Sequence, residues 1–93
     1  MSARLSGLTI GALSLSPSVD PGKTEYTANT TNSFNKVTVT PEDASAIVGI
    51  TLNGGTDIPN GTAAVWQDGA NTLTITVTNG GASNTYTVTV NKS

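Results

Sequence analysis

The sequence predicts an all-β fold, an immunoglobulin-like two-sheet antiparallel β-sandwich of about seven strands. Apolar and hydroxyl-bearing side chains alternate with a period of two along much of the chain, and seventeen of the 93 residues are threonine. This pattern is typical of half-buried strands, and Asn, Gly and Pro residues interrupt it at short intervals, as turns do. A chain of this length has room for one hydrophobic core, so we expect a single domain over residues 3–92.

The first strand is expected to be broken. Leu5 is odd-numbered and Ile10 is even-numbered, so both can face the core only if a bulge near Gly7 shifts the alternation. Gly11 then separates this strand from a second short piece around residues 13–15. A first strand of this kind predicts that the chain passes from one sheet to the other.

Four short strands are expected in the middle of the chain, each followed by a turn signal. They cover residues 24–29, 36–40, 46–52 and 63–67. An Asn-Gly-Gly sequence at 53–55 ends the third of them, and an Asp-Gly sequence at 68–69 turns the fourth back.

The last two strands have the clearest pattern. Residues 72–78 alternate threonine with leucine, isoleucine and valine, and residues 85–90 repeat the alternation. The Asn- and Gly-rich segment 79–84 between them tolerates positive φ, which favours a hairpin. We therefore expect a C-terminal hairpin with one face in the core and a ladder of threonines on the other.

The composition argues against several classes of partner. Only 11% of the residues are charged and the net charge is −2, so no basic surface is available for nucleic acid. No apolar run is long enough to span a bilayer, and the first four residues are not followed by the apolar core of a secretory signal. We expect neither nucleic-acid nor membrane contact, and a chain that is either used without export or cut from a longer exported protein.

The composition also argues against metal and cofactor sites. With no cysteine and no histidine, the chain lacks disulfides and the two commonest transition-metal ligands. Its six carboxylates are scattered through turns and strands, whereas a calcium site needs several that converge. We expect no metal and no cofactor.

The residues needed for common hydrolytic chemistry are missing or badly placed. Without histidine a serine nucleophile lacks its usual base, and the three lysines sit at strand ends or in loops. Glu42 and Asp43 are adjacent, so on a strand they would face opposite ways and could not flank one glycosidic bond. A carbohydrate-active enzyme is therefore disfavoured, and we expect no catalytic residues.

Trp66 is the residue for which two roles stay open. Strand alternation puts Val65 and Trp66 on opposite faces unless the strand ends there. In one interpretation Trp66 closes the core of the sandwich. In the other it is a stacking platform for a sugar ring, with Gln67, Asp68 and Asn71 as polar groups that bind the sugar hydroxyls.

Several segments together resemble the cadherin-like β-sandwich family of bacterial and phage proteins, a divergent immunoglobulin-like group. They are LSGLTI at 5–10, LSLSP at 13–17, ITLNG at 50–54, DGANTLTITVT at 68–78 and YTVTV at 86–90. Asp20-Pro21 and Tyr26-Thr27 also fit the family pattern, whereas Val19 stands where the family often has phenylalanine. Cadherin-type calcium ligands are not visible.

The resemblance implies a module of a larger structure. Family members occur as tandem modules of bacterial surface proteins and as appended domains of phage structural proteins, and the Thr- and Asn-rich segment 29–35 and Trp66 look more like the phage variants. We therefore expect a non-enzymatic accessory domain on the virion surface, on a capsid or tail component. Its expected role is display or spacing, with weak binding to bacterial surface glycans and contacts to other virion domains. The alternative is a spacer or adhesin module of a bacterial cell-surface protein.

Overall fold

The computed structural model describes residues 3–11, 13, 15–16 and 23–93. Along their strands, side chains alternate between inward and outward positions. These residues form eight strands and no helix. The strands are β1 (Leu5–Ile10), β2 (Glu25–Thr30), β3 (Phe34–Pro41), β4 (Ile47–Leu52), β5 (Thr56–Asp57), β6 (Ala63–Val65), β7 (Gly69–Asn79) and β8 (Ala82–Lys92). The predicted all-β sandwich is confirmed.

The strands form two sheets. One has three strands in the order β1-β3-β6, and the other has five in the order β2-β8-β7-β4-β5. All strand pairs are antiparallel except β2 with β8, which is parallel. Parallel neighbours need a long connection, and the five strands between β2 and β8 in the sequence provide it.

The core lies between the two sheets and takes one face of each strand. From the five-stranded sheet it receives mainly the inward residues of the C-terminal hairpin, Leu73, Ile75, Val77, Tyr86, Val88 and Val90. From the three-stranded sheet it receives Leu5, Leu8, Ile10, Val37, Val39 and Ala64. This one continuous cluster is the main source of stability, because burial of each large aliphatic side chain contributes roughly 1.5 to 3 kcal/mol before the opposing chain entropy.

The outer face of the hairpin carries the predicted threonine ladder. Thr72, Thr74 and Thr76 on β7 lie opposite threonines of β8, in the pairs Thr72–Thr89, Thr74–Thr87 and Thr76–Thr85. The pairing of threonines supplies β-propensity without an exposed apolar face. The strands β7 and β8 are each 11 residues long, longer than predicted, because their pairing continues beyond both ends of the predicted strands, from Gly69–Lys92 to Asn79–Ala82.

The first strand behaves as predicted. Its register against β3 shifts between Leu5 and Gly7, which brings Leu5 and Ile10 to the same buried face. Beyond β1 the chain crosses between the sheets, since Ser16 forms an isolated bridge to Thr27 of β2.

Other details also differ from the sequence prediction or lie outside the described residues. The two-residue strand β5 was not expected, because a dipeptide has no periodicity to recognise. The strand predicted at 63–67 ends at Val65. The predictions that concern Pro17, Val19 and the Asp20-Pro21 pair fall outside the described residues.

The described chain begins and ends at opposite ends of the sandwich, which measures 39 × 25 × 18 Å. Near its start, the Ala3 carbonyl accepts a hydrogen bond from Asn84 Nδ2 (3.1 Å), beside the β7–β8 turn. At its end, the Ser93 amide donates to the Thr30 carbonyl (3.0 Å), beside the β2–β3 turn. We call the first end the hairpin pole (residues 3–4, 41–46 and 79–84) and the second the asparagine pole (residues 30–35, 53, 66–71 and 91–93).

Candidate functional site

The four residues predicted to contact a sugar all lie at the asparagine pole, in or beside the short connection from β6 to β7. Trp66 and Asn71 are buried, whereas Gln67 and Asp68 are exposed. The structure thus brings the four residues together in space but divides them between the core and the surface.

Trp66 closes the core at this pole. Ala64 points inward, Val65 outward and Trp66 inward again, so the alternation of β6 continues one residue past its end. Trp66 is 5% exposed, so almost none of its surface is open for a sugar ring to stack on. Of the two roles left open by the sequence, the geometry corresponds to the core role.

Asn35 is the partner of the tryptophan, and the sequence analysis missed it. Its Oδ1 accepts hydrogen bonds from Trp66 Nε1 (2.8 Å) and from Thr30 Oγ1 (3.3 Å). A buried indole N–H needs an acceptor, and Asn35 has the same strand parity as the buried residues Val37 and Val39. Strand parity could therefore have shown that Asn35 faces inward, but not that it pairs with Trp66.

Gly11 allows this arrangement. It has a φ of 55°, and a Cβ at this position would lie 2.6 Å from Asn35 Nδ2. Any larger residue would be strained in its backbone and would press against the asparagine. The end of β1 and the Trp66–Asn35 contact therefore depend on each other.

Asn71 holds the loop that carries Gln67 and Asp68. It is fully buried, and its Oδ1 accepts hydrogen bonds from the Gln67 amide (2.9 Å) and from Asn53 Nδ2 (3.2 Å). Its Nδ2 donates to the carbonyls of Gln67 (2.9 Å), Gly69 (3.2 Å) and Val90 (3.3 Å). Asn71 is thus fully occupied within the fold, and its amide is not offered to a ligand.

Asp68 forms a salt bridge with Lys92. Lys92 Nζ lies 2.7 Å from Asp68 Oδ1, and the hydrogen bond and charge of Lys92 lower the pKa of the Asp68 carboxyl. The carboxylate side chain is 90% exposed. Gln67 is also exposed, so these two residues present the polar surface of the loop, and sugar binding through them stays a prediction.

A shallow concavity of about 300 Å³ lies at the same pole. Its walls carry amides and hydroxyls and no charged side chain, with Leu13, Asn29, Thr30, Thr31, Asn32 and Ser93 as lining residues. Such a surface can exchange hydrogen bonds with a neutral polar molecule but offers no acid or base.

The acidic pair considered for glycosidase chemistry has a different surrounding. Asp43 lies at the hairpin pole, where its Oδ1 accepts hydrogen bonds from the Ser45 amide (2.9 Å) and hydroxyl (2.8 Å) and its Oδ2 accepts one from Asn79 Nδ2 (3.0 Å). These bonds, first of all that from the Ser45 amide, lower the pKa of Asp43. Asp43 therefore caps a turn and ties it to the end of β7.

Two further classes of feature are missing from the described residues. They contain no group of three or more His, Cys, Asp or Glu that could hold a metal ion. Nor do they contain a helix with the length and apolarity required to cross a bilayer.

Comparison with known proteins assigns the family. The model of the cadherin-like β-sandwich domain matches residues 7–93, nearly the whole chain, whereas no curated protein matches it significantly. Domains of this immunoglobulin-like type are generally non-catalytic. The match agrees with the two facing sheets described above. The chain therefore belongs to the cadherin-like β-sandwich domain family.

Proposed function

We propose that this chain is a non-enzymatic accessory module of a phage virion structural protein, exposed on a capsid or tail component. In this role it acts as a display or spacer domain and makes weak contacts with bacterial surface glycans. Its neighbours are then other virion domains.

The observation that carries the spacer role is the position of the two chain ends. Ala3 lies at the hairpin pole and Ser93 at the asparagine pole, at opposite ends of the 39 Å long axis. Chain that continues in either direction leaves from opposite ends, so modules joined in this way line up along their long axes. If both chain ends lay at one pole, each joined module would lie beside its neighbour instead of in line with it.

The surface supports the display role. The outer face of the hairpin is a threonine ladder, and only 11% of the residues are charged. Such a face is well hydrated and has few strong attractions for other macromolecules. This suits a module that has to stay exposed without clustering.

A spacer or adhesin module of a bacterial cell-surface protein is the second candidate, and the same placement of the chain ends favours it. The two candidates differ in genetic context. Adjacent capsid or tail genes are expected for the virion module, whereas an upstream signal peptide with repeated copies of the domain is expected for the surface protein.

The spacer role is tested by small-angle X-ray scattering of arrays with one, two and three directly joined copies. The maximum dimension should rise by about 39 Å for each added copy. Matched arrays with flexible Gly/Ser linkers serve as the control and should be more compact for their contour length. A maximum dimension that barely rises between one and three direct copies would show that the modules fold back on one another, and the spacer role would be rejected.

A further inference from the structure

A small apolar surface lies on the outer face of the three-stranded sheet. Phe34 is 59% exposed and Val65 is 65% exposed, and the two residues are directly opposite each other in the pairing of β3 with β6. Residues in this relation have their side chains on the same face of the sheet. The phenyl ring and the isopropyl group therefore form one continuous surface.

Lys36 gives this surface a positive charge. It lies two residues from Phe34 along β3 and so shares its face at a spacing of about 6.6 to 6.8 Å. It is exposed, its cross-strand neighbour is the short Ala63, and no described carboxylate forms a salt bridge with it. We call Phe34, Val65 and Lys36 the aromatic patch.

The backbone under the patch is fixed from the core side. The Trp66 amide donates to the Ser33 carbonyl (2.9 Å), and the Trp66 indole donates to Asn35 Oδ1 (2.8 Å). The two neighbours of Phe34 are thus both tied to the buried tryptophan. Because this backbone is already held in place, ligand binding to the Phe34 ring costs little backbone conformational entropy, which favours affinity.

We propose that the aromatic patch binds an acidic polysaccharide. The Phe34 ring packs under the C–H face of one pyranose, and the Lys36 ammonium pairs with a carboxylate of the same or the next sugar. The inference rests on the proposed contact with bacterial surface glycans, to which it adds the residues and the chemical class of the glycan.

The dimensions of the patch favour a glycan over a protein partner. A stable protein interface buries about 800 Å² on each side, far more than two exposed apolar side chains provide, whereas a single aromatic ring matches one sugar ring. Pairing of two copies along the edge strand β6 is disfavoured because β6 has only three residues, and a very short edge strand offers little backbone for such contacts.

The proposal is tested by isothermal titration with alginate, a polyuronate, and dextran, a neutral polysaccharide. The protein should bind alginate more tightly than dextran, Phe34→Ala should weaken alginate binding about tenfold or more, and Lys36→Gln should remove the preference for alginate. Phe34→Trp should keep the binding, because it keeps an exposed ring. The matched controls are Ile47→Ala, which removes a 72% exposed side chain on the other sheet, and Lys23→Gln, which removes an exposed lysine just before β2. Both variants should bind as the unmodified protein does.

Several results would overturn the proposal. They are an absence of alginate binding, equal alginate affinity of Phe34→Ala and the unmodified protein, or a self-association that Phe34→Ala abolishes. Binding to dextran alone would also reject the acidic class while leaving the broader glycan contact in place. The spacer role is measured separately by scattering, so either idea can fail without the other.

Discussion

A buried and a half-buried asparagine make many of the side-chain hydrogen bonds inside this sandwich. Asn71 is fully buried and joins the loop at 67–69 to Asn53, just after β4, and to β8, and the half-buried Asn35 accepts the hydrogen bond of the Trp66 indole. An asparagine side chain both donates and accepts, so it can satisfy a loop backbone without the desolvation penalty of a charge. None of the buried side-chain nitrogens and oxygens in the described residues lacks a partner.

Replacement of Asn71 by alanine should lower the free energy of unfolding by about 2 to 4 kcal/mol, because buried backbone groups of the loop lose their partner. Urea denaturation measures the change. Asn91→Ala is the matched control: Asn91 is exposed and opposite Ala70, and its loss should change stability by less than about 0.5 kcal/mol. Equal effects of the two variants would mean that the Asn71 hydrogen bonds contribute little.

For individual residues, only part of the candidate site could be predicted from the sequence. Alternation on β6 showed that Val65 and Trp66 face opposite ways, but it could not show which of them is inside, because that depends on packing with the other sheet. The partner Asn35 is 31 residues away from Trp66, a contact that no local pattern contains. The exposed Phe34 was not predicted at all, because the sequence pattern put the start of this strand at residue 36, whereas β3 begins at Phe34.

The inner and outer faces of the C-terminal hairpin differ sharply in burial and polarity. On β8 the residue Val88 is fully buried opposite Leu73, and its neighbour Thr87 is half-buried on the outer face opposite Thr74. Threonine and valine have nearly the same shape, so exchanges between them change polarity and leave packing almost unaltered. The hairpin therefore permits a clean comparison of the two faces.

The exchange Val88→Thr should destabilise the domain by about 1 to 3 kcal/mol, because a hydroxyl is buried without a partner. The reverse exchange at the next residue, Thr87→Val, should change the free energy of unfolding by less than about 0.5 kcal/mol. Thermal or urea unfolding of both variants measures the difference. A larger loss for Thr87→Val than for Val88→Thr would contradict the assignment of the inner face.

Strands with a long alternating pattern could be predicted from the sequence. A very short strand and a pairing between strands far apart in the sequence could not. The hairpin strands, the bulge at Gly7 and the crossing of the first strand all follow from parity along the chain. The parallel pairing of β2 with β8 does not, because parity shows which face of a strand is buried but not which strand lies beside it. The strand β5 has only two residues and no period.

Stability of the whole molecule should depend on pH in the acidic range. The chain has no histidine, and the pKa values of Asp43 and Asp68 are lowered in the folded state by their hydrogen bonds to Ser45 and Lys92. The unfolded carboxyls titrate near 3.9, so the unfolded state binds more protons below that value. The stabilisation is therefore present above about pH 4 and is lost as the pH falls through the lowered folded-state values.

Urea midpoints at a series of pH values measure this dependence. The double variant Asp43→Asn, Asp68→Asn should lose less stability between neutral and strongly acidic pH than the unmodified protein, because two of the linked groups are gone. Identical pH profiles for the two proteins would show that other groups control the acid response.

The opposite placement of the chain ends also determines how the molecule responds to mechanical load. A pull between neighbouring modules draws β1 out at the hairpin pole and β8 out at the asparagine pole, each along its own axis. The hydrogen bonds of β1 with β3, and those of β8 with both β2 and β7, then bear the force side by side in shear instead of opening one after another. The topology that supports the proposed spacer role therefore also predicts that the sandwich resists stretching between its two ends.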